Sequence, residues 1–135
     1  MTFAPGITGL VVIDPYNDFI SEGGGGELRD EFAPQPGDIV AQEHWCSSGF
    51  ANTDLDLLLK KHGIGELIVI GLIAHSCVEA TVRYGAELGY QVTVVRDATA
   101  SYSDDHMHAA LEINLPNYAA VVSTVEVVDA IRAAR

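Results

Sequence analysis

The chain has 135 residues, 48% of them hydrophobic and 19% charged, which excludes a disordered segment and fits one domain, residues 1–135, around a single core. Acidic residues outnumber basic ones 19 to 7, for a net charge of −12. Phosphate backbones and anionic bilayers need a basic face, so this balance argues against nucleic acid and membranes as partners.

The opening stretch, MTFAPGITGLVVIDPYNDF, has no charged leader, and its apolar run is too short to span a bilayer. A cytoplasmic protein is expected, with Cys46 and Cys77 as free thiols. Leu10–Ile13 is the first strand, apolar throughout and followed at once by Asp14. From Pro15 to Gly37 the chain is long enough for a crossover helix. Yet SEGGGGELRDEFAPQPGD carries four consecutive glycines and two prolines, and only ELRDEF suits a turn of helix. A weaker strand, Asp38–Gln42, is entered through the turn-forming PQPG.

Strand and helix then alternate. Helices are expected over Thr53–His62, Cys77–Leu88, Asp104–Ile113 and Val125–Ala134, and strands over Leu67–Ile70, Val92–Val95 and Ala119–Val122. Capping-box spacing marks three of the helix starts, Thr53/Asp56, Ser76/Glu79 and Ser123/Glu126. Gly63 and Gly89 stand where C-terminal glycines belong. Strands that are apolar throughout, rather than alternating, are covered on both faces. The expected fold is therefore α/β: a three-layer, doubly wound parallel sheet of about five strands with helices on both faces.

In such sheets ligands sit beyond the carboxyl ends of the strands. Asp14 follows the first strand, His44 follows Asp38–Gln42, and Cys77 follows the Leu67–Ile70 strand, so the three can converge. With Ser76 as cap, Cys77 falls in the first turn of its helix, where free N–H groups and the dipole favour a thiolate. The same N–H groups can hold an oxyanion. Asp14 can take the thiol proton and return it to a leaving amine, and a protonated His44 would depress the thiol pKa further. Taken singly, each residue has a plainer reading: a packed cysteine, a turn aspartate, a loop histidine beside Trp45. His106 and His108, two apart on a helix, face different ways and read as surface. His62 closes a helix, and His75 adjoins Cys77 as a pocket residue. The glycine run lacks the Gly-Lys-Ser/Thr of a phosphate loop.

Three stretches together, VVIDPYNDF, HWCSSGFANTDLDLLL and GLIAHSCVEATVRYGAELGYQVTVVRDATAS, resemble the isochorismatase-like cysteine hydrolases, which include nicotinamidases and related amidases. The resemblance implies an Asp–Lys–Cys triad in which Asp14 matches the aspartate and Cys77 the nucleophile. It also implies an oxyanion hole from the N–H groups of Ile73 and Cys77, with a cis peptide between Leu72 and Ile73. His44 stands where the family has its lysine. A helix and a strand that family members carry between the aspartate and lysine strands are missing, and Gly23–Gly26 looks like a join across the gap. Nicotinamidases draw their metal ligands from that region, so no metal and no cofactor is expected.

The implied reaction is cleavage of a C–N, amide-type bond of a small molecule through a thioester on Cys77. Tyr16, Phe19, Trp45, Phe50 and His75 are the expected substrate contacts, and a homo-oligomer is the expected assembly. The alternatives are vinyl-ether hydrolysis, which needs the aspartate but no thiol, and a shortened, non-catalytic binding or assembly module.

Overall fold

The computed structural model describes residues 1–15, 30–42 and 46–134. Four parallel strands form one sheet in the order β1-β2-β3-β4: β1 Thr8–Ile13, β2 Glu66–Leu72, β3 Gln91–Ala100 and β4 Ala120–Val122. Each contains or largely coincides with a β-branched run read from the sequence. Helix α1 spans Leu55–Lys61, α2 Glu79–Glu87, α3 Asp104–His108 and α4 Thr124–Ala133. No helix among the described residues is long and apolar enough to cross a membrane.

Helix starts divide by what their polar side chains do. Ser123 and Glu126 form a complete capping box at α4, and the Ser103 hydroxyl caps α3 by accepting from the His106 N–H. Asp54, by contrast, gives α1 no side-chain cap; its carboxylate accepts from the Gln42 N–H at 2.7 Å. Gly63 and Gly89 follow α1 and α2 in left-handed conformations, at φ 71° and 93°.

Strand order decides where the helices go. Right-handed crossovers between strands that are neighbours in both sequence and space deliver their helices to a single face. Leu59, Val78, Val82, Ala110 and Leu111 accordingly pack with Ile13, Leu67, Val69, Val92 and Val94 in one core cluster. The opposite face is covered by α4, whose Val127 and Ala130 join Phe3, Ile68 and Val95 in a smaller cluster. This second layer stops short of β1. Leu10 and Val12, in register with Ile68 and Ile70, are 62% and 36% exposed. β1 is thus an edge strand, hydrogen-bonded to β2 alone among the described strands. Its start is tied to β2 by the Glu66 carboxylate, which accepts from the Ala4 N–H and the Thr8 hydroxyl.

Asp38–Gln42, expected as a fifth strand, is not one: it pairs with no strand and borders a groove along β1. Side chains have claimed its ends. Asp38 accepts from the Gln35 N–H and Gln42 donates to Asp54, while Ile39 and Val40 are exposed. The glycine run Gly23–Gly26 lies outside the described residues.

Candidate active site at the carboxyl end of the sheet

Two glycine-dependent features set the geometry. β1 ends at Ile13, in register with Gly71 of β2, and Gly71 has φ 115°. A Cβ on Gly71 would lie 2.1 Å from the Ile13 carbonyl oxygen, so only glycine lets the two strands meet this closely. Asp14 follows directly, itself left-handed at φ 47°. On β2, the Leu72–Ile73 peptide is cis, as the resemblance implied.

The chain then enters a π-helical turn, Ala74–Val78, that carries Cys77 and runs into α2. The helix was expected to begin at Cys77 with Ser76 as its cap. Instead the turn starts three residues earlier, because the Ile73 carbonyl accepts from the N–H groups of both Ser76 and Val78. Ser76 is left free to meet the Ser47 hydroxyl at 3.3 Å and to bond the Cys77 sulfur.

The Cys77 thiol and the Asp14 carboxyl are hydrogen-bonded, and the Ile73 N–H is directed at the same sulfur. These contacts, with burial, fix the thiol's ionisation. Its pKa is pushed up to about 11, first by burial and then by the hydrogen bond to Asp14 and that group's charge; Ser76 and the Ile73 N–H pull more weakly the other way. This corrects the expectation of a resting thiolate. A helix start does favour the anion, but a half-buried sulfur facing a carboxylate is more strongly disfavoured as one. The resting group is a neutral thiol that donates its proton toward Asp14.

Of the other expected contacts, His44, Tyr16, Phe19 and Trp45 lie outside the described residues. Phe50 is placed in the core rather than in a pocket: it is 5% exposed, stacks on Tyr84 and Tyr90, and closes over Gly85 of α2. His75 meets the residue that follows β3. Its Nδ1 pairs with the Ser101 hydroxyl, and its ring stacks on His106 with centroids 4.3 Å apart. Among the described residues, no group of three or more His, Cys, Asp or Glu side chains is arranged to hold a metal ion.

Reasoning from sequence missed how the segment Cys46–Phe50 is seated. Ser47 meets Ser76, the Gly49 N–H donates to the buried Thr81 hydroxyl at 2.9 Å, and Phe50 fills the notch at Gly85. The small residues Ser47 and Gly49 of CSSGF were the available signal, since one meets the turn before α2 and the other α2 itself.

A strand-end carboxyl bonded to a cysteine on the following strand's turn, beside a cis peptide, invites comparison with known proteins. The family model described as isochorismatase domain matches residues 16–127. The chain belongs to this isochorismatase domain family. It is 41% identical over 99 residues to the ureidoacrylate amidohydrolase RutB of Enterobacter sp. (strain 638), covering 73% of this chain and 43% of that protein. The chain thus spans less than half the length of that curated relative. Among solved structures it resembles a cysteine hydrolase from Pseudomonas syringae pv. phaseolicola 1448A, with TM-score 0.74 and 31% identity over 81% of this chain and 56% of that one. It also resembles the N-carbamoylsarcosine amidase of Thermoplasma acidophilum, with TM-score 0.62 and 29% identity over 86% and 68% of the two chains. Within the isochorismatase family, then, relatives named as amide hydrolases stand near this chain.

Proposed function

We propose that this isochorismatase-family chain hydrolyses an amide-type C–N bond of a small molecule through a thioester on Cys77. The observation that carries the reading is the hydrogen bond between the Cys77 thiol and the Asp14 carboxyl, with the Ile73 N–H directed at the sulfur. Because the thiol rests neutral, Asp14 removes its proton as the sulfur attacks, and a C–S bond forms at the carbonyl carbon. The carbonyl oxygen gathers negative charge and is held by the N–H groups of Ile73 and Cys77. The C–N bond then breaks, and the amine leaves with the proton stored on Asp14. Water adds to the thioester, the C–S bond breaks, and the thiol regains a proton as the acid departs. His44, two residues past Asp38–Gln42, is proposed to orient Asp14 or the substrate.

The test is ammonia release from a panel of small amides and ureido compounds by the wild-type protein, Cys77→Ala and Asp14→Asn. Loss of turnover in both variants, each with wild-type circular dichroism, is the expected result. Full activity in Cys77→Ala overturns the thioester and leaves amide hydrolysis by a route that does not use the thiol.

A further inference from the structure

The Cys77 sulfur is hydrogen-bonded to the Ser76 side chain, and the Ser76 hydroxyl oxygen lies 3.3 Å from that of Ser47. The Cys46 sulfur is 3.9 Å from the same Ser47 oxygen. Counting protons orients this row. Each serine hydroxyl carries one proton and gives it once. The Cys77 thiol proton is directed at Asp14, so Ser76 donates to the sulfur. Ser76 then accepts from Ser47, and the Ser47 oxygen accepts from the Cys46 thiol. Every donor in the row points toward the Cys77 sulfur.

We infer that this row stabilises the thiolate formed as Cys77 attacks, with Ser76 a further catalytic residue in contact with the reacting sulfur and Ser47 a positioning residue that acts through it. The inference rests on the amidase reading above and adds to its first step. When Asp14 takes the thiol proton, the sulfur gains negative charge and keeps its hydrogen bond from Ser76. No proton moves along the row. A hydrogen bond to an ionised partner is roughly twice as strong as one between neutral groups, so the Ser76 contact strengthens as the charge develops. Donation from Ser47 polarises Ser76 and strengthens its bond further. The sense of the contact agrees, since Ser76 pulls the thiol pKa down against the larger upward push of burial and Asp14.

The local fold holds the row in place. Ser47 lies in a segment anchored twice to α2: the Gly49 N–H donates to the Thr81 hydroxyl, and the Phe50 ring packs against Gly85. Both Thr81 and Phe50 are buried. The Cys77 turn runs into that same helix, so Ser47 and Cys77 are referred to one element. Ser76 is available because the turn begins at Ala74; as a helix cap, its hydroxyl would face backbone N–H groups instead of the sulfur.

The experiment compares Ser76→Ala, Ser47→Ala and the double variant with the wild type, each with wild-type circular dichroism. The readout is Cys77 alkylation by iodoacetamide at one fixed pH well below the midpoint of about 11, where the rate follows the thiolate fraction. Peptide mass spectrometry separates Cys77 from Cys46. Loss of a hydrogen bond to a charged group should slow alkylation about tenfold in Ser76→Ala. Ser47→Ala should slow it about twofold, through weaker polarisation of Ser76, and Ser47→Thr should restore the rate. Once Ser76 is alanine, Ser47→Ala should have no further effect. For ammonia release, kcat should fall in the same order with KM unchanged. A wild-type alkylation rate in Ser76→Ala overturns the assignment. Effects of Ser47 and Ser76 that multiply in the double variant overturn the row, because a structural role for Ser47 acts whatever stands at position 76. Alkylation rates in the expected order, in a protein that turns over no amide, overturn the amidase reading and leave the row as a device that tunes the thiol.

Discussion

Gly71→Ala tests the geometry on which the candidate site depends. The new Cβ would stand 2.1 Å from the Ile13 carbonyl oxygen, 2.7 Å from its nitrogen and 2.8 Å from its carbonyl carbon, all backbone atoms that cannot swing aside. The backbone at φ 115° adds its own penalty, since L side chains strain there. A residue forced into such a conformation costs about 1–3 kcal/mol, and an unrelieved overlap about as much again, so a loss of about 2–6 kcal/mol is expected. Part of the overlap can be relieved, because β1 is an edge strand and its end can lift away from β2. That movement takes Asp14 from Cys77 and removes two of the three influences raising the thiol pKa.

Two measurements check this. Urea unfolding gives the stability loss, and the pH profile of Cys77 alkylation should move below the midpoint of about 11 fixed by the native contacts. Asp14→Asn, which removes the charge without the overlap, should move the profile the same way with little change in urea midpoint. A Gly71→Ala protein with native stability and a native alkylation profile would refute the reasoning.

Iodoacetamide at neutral pH should label the exposed Cys46 well before Cys77, as read by peptide mass spectrometry; Cys77 labelling should then climb with pH toward about 11, and equal rates at neutral pH would contradict a protonated, half-buried thiol. Phe50→Ala empties the space between Tyr84, Tyr90 and Gly85 and should cost about 3–5 kcal/mol in urea unfolding, whereas a substrate-contacting ring would change KM at little cost in stability. Ser123→Ala breaks the capping box of α4 and should lower stability by about 1 kcal/mol, with amide turnover unaffected. A fall in turnover would place α4 closer to the chemistry than its position under the far face of the sheet allows.

The four strands were legible as uninterrupted apolar, β-branched runs, although β1, with Leu10 and Val12 exposed, is not covered on both faces as that pattern suggests. The two central site residues were legible because each follows such a run. The ionisation of Cys77 was not. Local sequence shows a helix start, which lowers a thiol pKa, but the burial that outweighs it is set by packing, and the carboxylate that adds to it follows β1, more than sixty positions earlier. Phe50, expected among the substrate contacts, is buried for a related reason: the notch that receives it is made by Gly85 on α2. Asp38–Gln42 has the composition of a strand but lacks a neighbour to pair with, and pairing is a property of the sheet. The contact between His75 and His106 was hidden as well. It joins two segments thirty-one positions apart in the chain, where the sequence shows no local signal.

These features place the two halves of the site in different mechanical surroundings. Cys77 lies on a turn flanked by the fully buried Ala74 and Val78 and carried by β2, which is paired on both edges. Asp14 extends from a strand held on one edge, with one face half open to solvent, and its final register pair is Ile13 with Gly71. The nucleophile is therefore held by the core, and the proton acceptor follows a pair of backbones, Ile13 and Gly71, whose close approach only glycine permits.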